Sequence, residues 1–569
     1  MLEEFIHQPR VAYFSMEIAL HNDIPTYAGG LGVLAGDMVR SASDLMIPMV
    51  AVCLVNRAGY FRQRIDDQGQ QVELPDFWQP ELCTKALDAK IAVTIEGQVV
   101  WIGAWLYVVE APRGGRQPVL LLDTDLNDNR PEDRELTHYL YGGDATYRLK
   151  QEIVLGIGGV RLLQALGFNI FHYHMNEGHS ALLGVELLHK FTYPAEDMRQ
   201  GESSCDLPKV REMCSFTTHT PVEAGHDHFD YALIKRVLDH AFDLSTIKQL
   251  AGESDLNMTQ LALNLSEFVN GVTKTHADIS NKMFPGYKVH AITNGVHPYT
   301  WASESFRQLY DQYIPGWCHE PELLIRVECS ISDAEIWQAH QQAKLQLIEQ
   351  VLALTSIKLD LHTPIIAFAR RMTAYKRPDM LFHDIKRLKD IAGHQPFQII
   401  MAGKAHPSDQ GGKALIYELH QHMQSLADSI PIAYLPNYNL ETAQHMVAGS
   451  DVWLNTPLRP HEASGTSGMK AAINGVPSLS ILDGWWVEGC IEGVTGWAIG
   501  NGINDNETSH DGCESSALYH KLEQVVLPLY YNQNTQGWIE VMKNAIGKNA
   551  SYFNSHRMMR RYLIEAYSR

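Results

Sequence analysis

The sequence contains no run of about 18 apolar residues, the length a helix needs to cross a bilayer, so no membrane span is expected. Its N-terminus, MLEEFIHQPR, has no apolar core followed by a small-residue cleavage site; it is not a secretory signal, and a cytoplasmic protein is expected. Eight cysteines (Cys53, Cys83, Cys205, Cys214, Cys318, Cys329, Cys490 and Cys513) include no CxxC pair, which argues against a disulfide scaffold and a zinc ribbon alike. Positive charge is in deficit: 46 Lys and Arg against 66 Asp and Glu give a net charge of −20, which repels nucleic acid and anionic lipid. A small anion remains admissible, because screening acts over about 8 Å and a local pocket outweighs the distant average. Histidines number 27, but His172, His174, His179, His226 and His228 do not fit HExxH, so no metal is expected and polar pocket walls or core positions explain them. No internal repeat or low-complexity tract is present.

What is there is an α/β pattern. At 569 residues, 45% hydrophobic and 20% charged, the chain exceeds a single core and calls for two large domains. Short β-branched runs at Val11–Ser15, Pro48–Val55, Val119–Leu122, Asn169–His172, Cys214–Thr218 and Val289–Ile292 read as strands. Pro364–Ala369, Phe397–Ala402, Pro431–Leu435, Asp451–Asn455 and Pro477–Ile481 repeat the pattern, with helices such as Asp379–Ala392 and Glu441–Val447 between them. Alternation over two halves predicts two doubly wound, Rossmann-like domains. Pro315, Gly316 and Pro321 punctuate the chain before a helix at Asp333–Leu352, so the boundary is placed near residue 320: domains over 1–320 and 321–548, then a C-terminal helix, 549–569, packing back on the first.

Three clusters can carry chemistry. Tyr27-Ala-Gly-Gly-Leu-Gly32 follows a strand and precedes a helix, where backbone N–H groups can approach an anion. Arg370, Arg371, Lys376 and Arg377 gather where the strand Pro364–Ala369 ends, the edge at which doubly wound folds bind ligands, and Pro378 is placed to open the next helix. In His461–Pro477, Thr466 or Ser467 can cap a short helix that Gly475 ends, with Lys470 in its first turn. The positive end of the helix dipole opposes a lysine charge there, and a neutral amine is what Schiff-base formation requires.

Gly29-Gly-Leu-Gly32, Phe216-Thr-Thr-His-Thr-Pro221, Thr293-Asn-Gly-Val-His-Pro298 with Trp301, Arg370-Arg371 with Tyr375-Lys376-Arg377, Gly403-Lys-Ala-His-Pro407 and Glu462–Lys470 occur in one order. Together they resemble the glycogen/starch (α-glucan) phosphorylase family in its short bacterial and archaeal form. The resemblance implies a GT-B architecture with an interdomain active-site cleft. It implies pyridoxal 5'-phosphate on Lys470, with Thr466, Ser467, Arg370, Tyr438 and Trp301 around the cofactor. Arg371 and Lys376 match grips on the substrate phosphate, and His219 the residue whose backbone carbonyl faces the reacting glucose. Gly29 and Gly30 match the loop over the phosphate; Asn294, Tyr375, Glu462, Ser464, Gly465 and Asn176 match sugar-binding positions, with Glu177 and His179 beside Asn176.

The implied reaction is reversible phosphorolysis of α-glucan or maltodextrin to α-D-glucose 1-phosphate, with retention and inorganic phosphate as co-substrate, in a homo-oligomer, a dimer. A phosphate group can do the proton transfer that glycosidases assign to a carboxylate pair, and no convincing pair is found in the sequence. Ala28 stands where longer members have asparagine and Ser467-Gly468 where they have Gly-Asn, which bears on the cofactor-phosphate contacts. With no counterpart of the longer members' N-terminal extension, allosteric control of that kind is not expected. Two alternatives share the plan: a nucleotide-sugar-dependent GT-B glucan synthase, which needs no Schiff-base lysine, and a catalytically silent glucan-binding protein, which needs neither Lys470 nor Arg371 nor Lys376.

Overall fold

The computed structural model describes residues 2–112, 114–193, 204–238, 244–500, 511–532 and 536–568. The chain resolves into two compact units, one of Met1–Phe61, Pro75–Ile292 and Met559–Arg569, the other of Arg62–Leu74 and Thr293–Met558. Residues 293–320 therefore belong with the second unit, ahead of the boundary the proline and glycine punctuation suggests. The reason is local: the Ser303 amide donates to Asn474 Oδ1 at 2.7 Å and the Tyr310 hydroxyl to the Ile473 carbonyl at 2.7 Å, so this segment is tied to the helix that carries Lys470.

The first unit is built on a ten-stranded sheet. Its parallel part runs in the spatial order Val289–Ala291, Phe268–Gly271, Cys214–Thr217, Ile170–Asn176, Arg10–Ser15, Met49–Leu54, Arg116–Asp123. Past Arg116–Asp123 the sheet turns antiparallel through Gln98–Glu110, which also pairs with Ile91–Ile95 and Lys85–Ala86. Strands such as Met49–Leu54 are buried at every position, and a strand covered on both faces reads as an unbroken apolar run. Strand order reverses between Arg10–Ser15 and Ile170–Asn176. Tyr562 and Tyr567, near the C-terminus, lie buried in this unit, where Tyr567 meets His174 Nδ1 at 2.6 Å and Tyr562 accepts from Asn270 Nδ2 at 3.0 Å.

The second unit has a six-stranded parallel sheet in the order Ile432–Leu435, Gln398–Ala402, Ile365–Ala369, Val452–Asn455, Ser478–Ile481, Gly496–Ile499. Its order reverses between Ile365–Ala369 and Val452–Asn455, the switch point at which open α/β sheets receive ligands beyond their carboxyl ends. The helix Asp333–Thr355 carries a capping box, Ser332 with Glu335, at its start. Where one helix is expected over Asp379–Ala392, a 3₁₀ turn at Met380–Phe382 precedes a helix at Ile385–His394. Tyr519 breaks the run: its hydroxyl donates to the Leu381 carbonyl and accepts the Asp384 amide, while the Asp384 side chain caps the new start. Pro378 therefore does not open that helix. Among the described residues no helix is long and apolar enough to cross a membrane.

A buried ion cluster fixes the floor of this sheet. Asp451 accepts from Lys344 Nζ at 2.7 Å, His340 Nε2 at 2.9 Å and the Ile365 amide at 2.8 Å, and the Asp451 and Lys344 side chains are both fully enclosed. Burial would raise the Asp451 carboxyl, but Lys344 and then His340 hold it below the ordinary value. Removing one member strands the other charge, so Lys344→Met is expected to destabilise the protein by about 3–5 kcal/mol, read as a lowered denaturant midpoint at unchanged slope.

Candidate active site

Each expected site residue of the second unit lies on a connection leaving the carboxyl edge of its sheet or on the Thr293–Trp301 segment. Arg370 follows Ile365–Ala369 directly, Tyr438 follows Ile432–Leu435, and Glu462–Lys470 follows Val452–Asn455. At the switch point Arg370 Nη1 donates to Asn455 Oδ1, and Arg370 Nη2 lies 2.7 Å from both oxygens of Glu462. Lys376 Nζ reaches Glu462 Oε2 at 2.5 Å while lying 4.4 Å from the Tyr375 ring centroid. Burial would raise the Glu462 carboxyl; Arg370 and then Lys376 overcome that and hold it at about 2. A carboxylate has about four acceptor positions, so one that serves two cations keeps capacity for a hydroxyl donor.

Of the four expected cations, Arg377 is not part of this group. Its backbone is left-handed, and its side chain turns inward to the carbonyls of Thr456 and Pro457 and to Glu514 at 2.6 Å. It holds the loop that Arg459 also braces through Glu514. Arg371 is exposed and Tyr438 half-buried.

Lys470 sits in the six-residue helix Ser467–Ala472, 8% exposed, with Nζ 4.2 Å from the Trp301 ring centroid. An aromatic face favours the ammonium form, so the local field is not simply the one the helix dipole suggests. Thr466 occupies the cap position but makes no capping bond, and Ser467 Oγ instead accepts from Trp453 Nε1 at 3.0 Å; the expected cap is replaced by tertiary packing. Gly475, at φ +70°, follows the helix as expected. A side chain at 468 has no room: a Cβ would stand 2.7 Å from the Trp485 ring and 2.8 Å from Ser478 Oγ. Asn474, absent from the sequence-based assignments, donates to the Trp301 carbonyl at 2.8 Å and the Lys470 carbonyl at 3.1 Å, locking ring and lysine in register.

Among the residues expected to bind sugar, two have a buried polar atom without a hydrogen-bond partner among the described residues, Ser464 Oγ and Asn294 Oδ1. Each such atom costs about 1–3 kcal/mol unless a ligand satisfies it. The Asn294 backbone is fixed by Arg557 Nη2, which donates to the carbonyls of Thr293 and Asn294 at 2.7 and 3.0 Å. Gly465, at φ +71°, comes next in the Glu462 loop.

In the first unit, the switch point brings Asn176 onto Ser15, Nδ2 to Oγ at 3.1 Å, and Asn176 Oδ1 meets His219 Nε2 at 2.7 Å. Glu177, itself at φ +73°, accepts the His219 amide at 2.8 Å and the Thr220 hydroxyl at 3.0 Å. Burial, then His276 and His179, holds the His219 imidazole down to about 3, so the ring is neutral at physiological pH. His219 is thus pinned at both ring and amide, and the Thr220 hydroxyl on Glu177 holds the residue that follows it. The glycine loop differs from a bare anion cradle: the amides of Ala28 and Gly29 are committed to Glu17 Oε2 at 2.6 and 3.0 Å, and Tyr141 holds the other oxygen. Gly30 opens the helix Gly30–Asp44 and is exposed. His172, His174 and His179 meet Ser215, Thr217 with Tyr567, and Asp227 respectively.

Sequence reasoning missed Glu17, Asn455, Asn474 and Asp483. Asp483-Gly484 and Asn474-Gly475 do carry a signal, a turn dipeptide at an element end, the former just past a strand's carboxyl edge; nothing local marks Glu17 or Asn455.

Two α/β sheets, one mixed and one wholly parallel, the latter with a buried cation–carboxylate group at its switch point, are the architecture of an α/β enzyme. Residues 241–496 match the family model described as Carbohydrate phosphorylase. Over 98% of this chain and 70% of the relative, it is 39% identical to the Maltodextrin phosphorylase of Thermococcus litoralis. It is 35% identical to the Glycogen phosphorylase of Aquifex aeolicus over 100% of this chain and 87% of the relative, and 35% to that of Mycobacterium tuberculosis over 98% and 70%. The chain belongs to the carbohydrate phosphorylase family.

Proposed function

We propose that the protein is an α-1,4-glucan phosphorylase of GT-B architecture that uses inorganic phosphate to release α-D-glucose 1-phosphate from a maltodextrin or glycogen chain. The observation that carries this is the Arg370–Glu462–Lys376 group at one sheet's switch point, with buried Lys470 in the same strand connection as Glu462. Cations for a phosphate and a carboxylate for sugar hydroxyls lie within one hydrogen-bonded set.

The donor set fits pyridoxal 5'-phosphate: a buried amine on an aromatic face, with the Thr466 hydroxyl and Ser467 in the same turn and Arg370 at the neighbouring strand end. Lys470 would hold it covalently, with Tyr438 and Trp301 as walls. When bound, the cofactor supplies a phosphate group able to give and take a proton near neutral pH.

This chain's own residues do the rest. Glu462, Ser464, Gly465, Asn294 and Tyr375 bind and orient the terminal glucose. Arg371 and Lys376 grip the substrate phosphate, and Gly29 and Gly30 close over it. The substrate phosphate gives a proton to the glycosidic oxygen, the C1–O4 bond breaks with O4 leaving on the shortened glucan, and a phosphate oxygen bonds to C1 on the same face. The His219 carbonyl, pinned through Glu177 and Asn176, faces the positive charge that develops on the sugar, an electrostatic contribution that is often the largest single one.

Incubation with maltodextrin and phosphate is expected to yield glucose 1-phosphate in strict dependence on phosphate, measured by coupled oxidation of the product. Release of free glucose, or product formation only from a nucleotide sugar, would overturn the reading.

A further inference from the structure

The loop that carries Glu462 and Ser464 rests on the turn Asp483–Trp485. Asp483, 3% exposed at the carboxyl edge of the strand Ser478–Ile481, accepts the Glu462 amide on Oδ2 at 2.9 Å and the Gly484 amide on Oδ1 at 2.9 Å. The Trp485 amide donates to the Ser464 carbonyl at 2.8 Å. Gly484, at φ +55°, lets that carbonyl approach: a Cβ there would stand 2.3 Å from it. Glu462 is thereby held from two sides, its carboxylate by Arg370 and Lys376 and its backbone by Asp483.

We propose that Asp483 is a positioning residue for the glucosyl site, its ionised carboxylate fixing the Glu462–Gly465 backbone so that Glu462 and Ser464 face a hexose. The proposal deepens the phosphorylase reading and rests on it. A buried carboxylate opposite two N–H groups is an expensive way to shape a turn, and its charge is what lets both oxygens accept together; once protonated, the carboxyl has one good acceptor left for two donors.

The charged groups facing Asp483 are Glu462 and Lys376. Burial first, then the Glu462 charge, raises its carboxyl to about 6, against the two amides and Lys376, while Glu462 stays ionised far below that pH. Protonation as pH falls through about 6 therefore loosens the loop without discharging Glu462.

The test is binding of α-D-glucose, an uncharged probe with no phosphate of its own, to the whole protein by calorimetry from pH 8 to pH 5, with Asp483→Asn reporting any pH dependence that the cofactor phosphate contributes. Wild-type affinity is expected to fall about tenfold across the range, with Asp483→Asn weak and pH-independent throughout, folded by circular dichroism, and raised in KM for glucose 1-phosphate more than lowered in kcat. If that variant does not fold, Asp483→Glu, which keeps the carboxylate, is expected to retain pH-dependent glucose binding, and its failure to do so overturns the role. Equal affinities, or wild-type affinity flat with pH, overturn the role of Asp483 while leaving phosphorylase activity intact. Failure of the wild type to form glucose 1-phosphate overturns the phosphorylase reading and this role with it.

Discussion

Lys470→Ala is expected to lower glucose 1-phosphate formation by about 10³-fold or more, the scale of a lost acid–base contribution, and to leave the protein without covalently held pyridoxal phosphate. The second readout tests the covalent bond: after borohydride reduction the wild type gains the cofactor's mass less one oxygen, water having left and two hydrogens having been added, and the variant gains nothing while circular dichroism shows it folded. Lys470→Arg sharpens the test, because it keeps a cation over the Trp301 face yet offers no amine able to form the covalent bond. Both variants are expected to be equally inactive while folded. Full turnover by either, or cofactor mass retained by the alanine variant, would remove the basis for the cofactor assignment.

Glu462→Gln is expected to cost about 3 kcal/mol of stability at pH 7, because Arg370 and Lys376 would then share a buried site with no carboxylate. The size agrees with a carboxyl lowered from about 4.5 to about 2. A depressed carboxyl contributes stability that is fully present above its unfolded value and is lost as pH falls toward its folded value. The gap between wild type and variant should therefore close between about pH 5 and pH 2, as followed by urea midpoints. Adding inorganic phosphate at pH 7 should also narrow it, since an anion on Lys376 replaces part of the missing charge. A deficit indifferent to both pH and phosphate would mean that the carboxylate acts only through packing.

Much of this protein was legible before any coordinates. The buried strands stood out because both faces are covered, so Met49–Leu54 and Ile365–Ala369 are plain apolar runs bounded by turn residues. Strand-end placement of Arg370 and the register of Lys470 with Gly475 were likewise local, since strand ends and helix stops are written in adjacent residues. The residues that aim these groups were not legible. Glu17 and Asn455 carry no local mark, and Arg377 matches its cationic neighbours in type yet turns to Glu514, a partner 137 positions away in the chain. A helix from Asp379 was the natural reading of the periodicity, but a single hydroxyl from Tyr519 claims the Leu381 carbonyl and the Asp384 amide and splits it. By itself the sequence determined which elements form and which chemical groups stand at their ends, because those depend on near neighbours. Which of these groups face one another, and which are consumed in holding the others still, only the tertiary structure decided, because hydrogen bonding and charge pairing between distant segments leave no periodic trace in the chain.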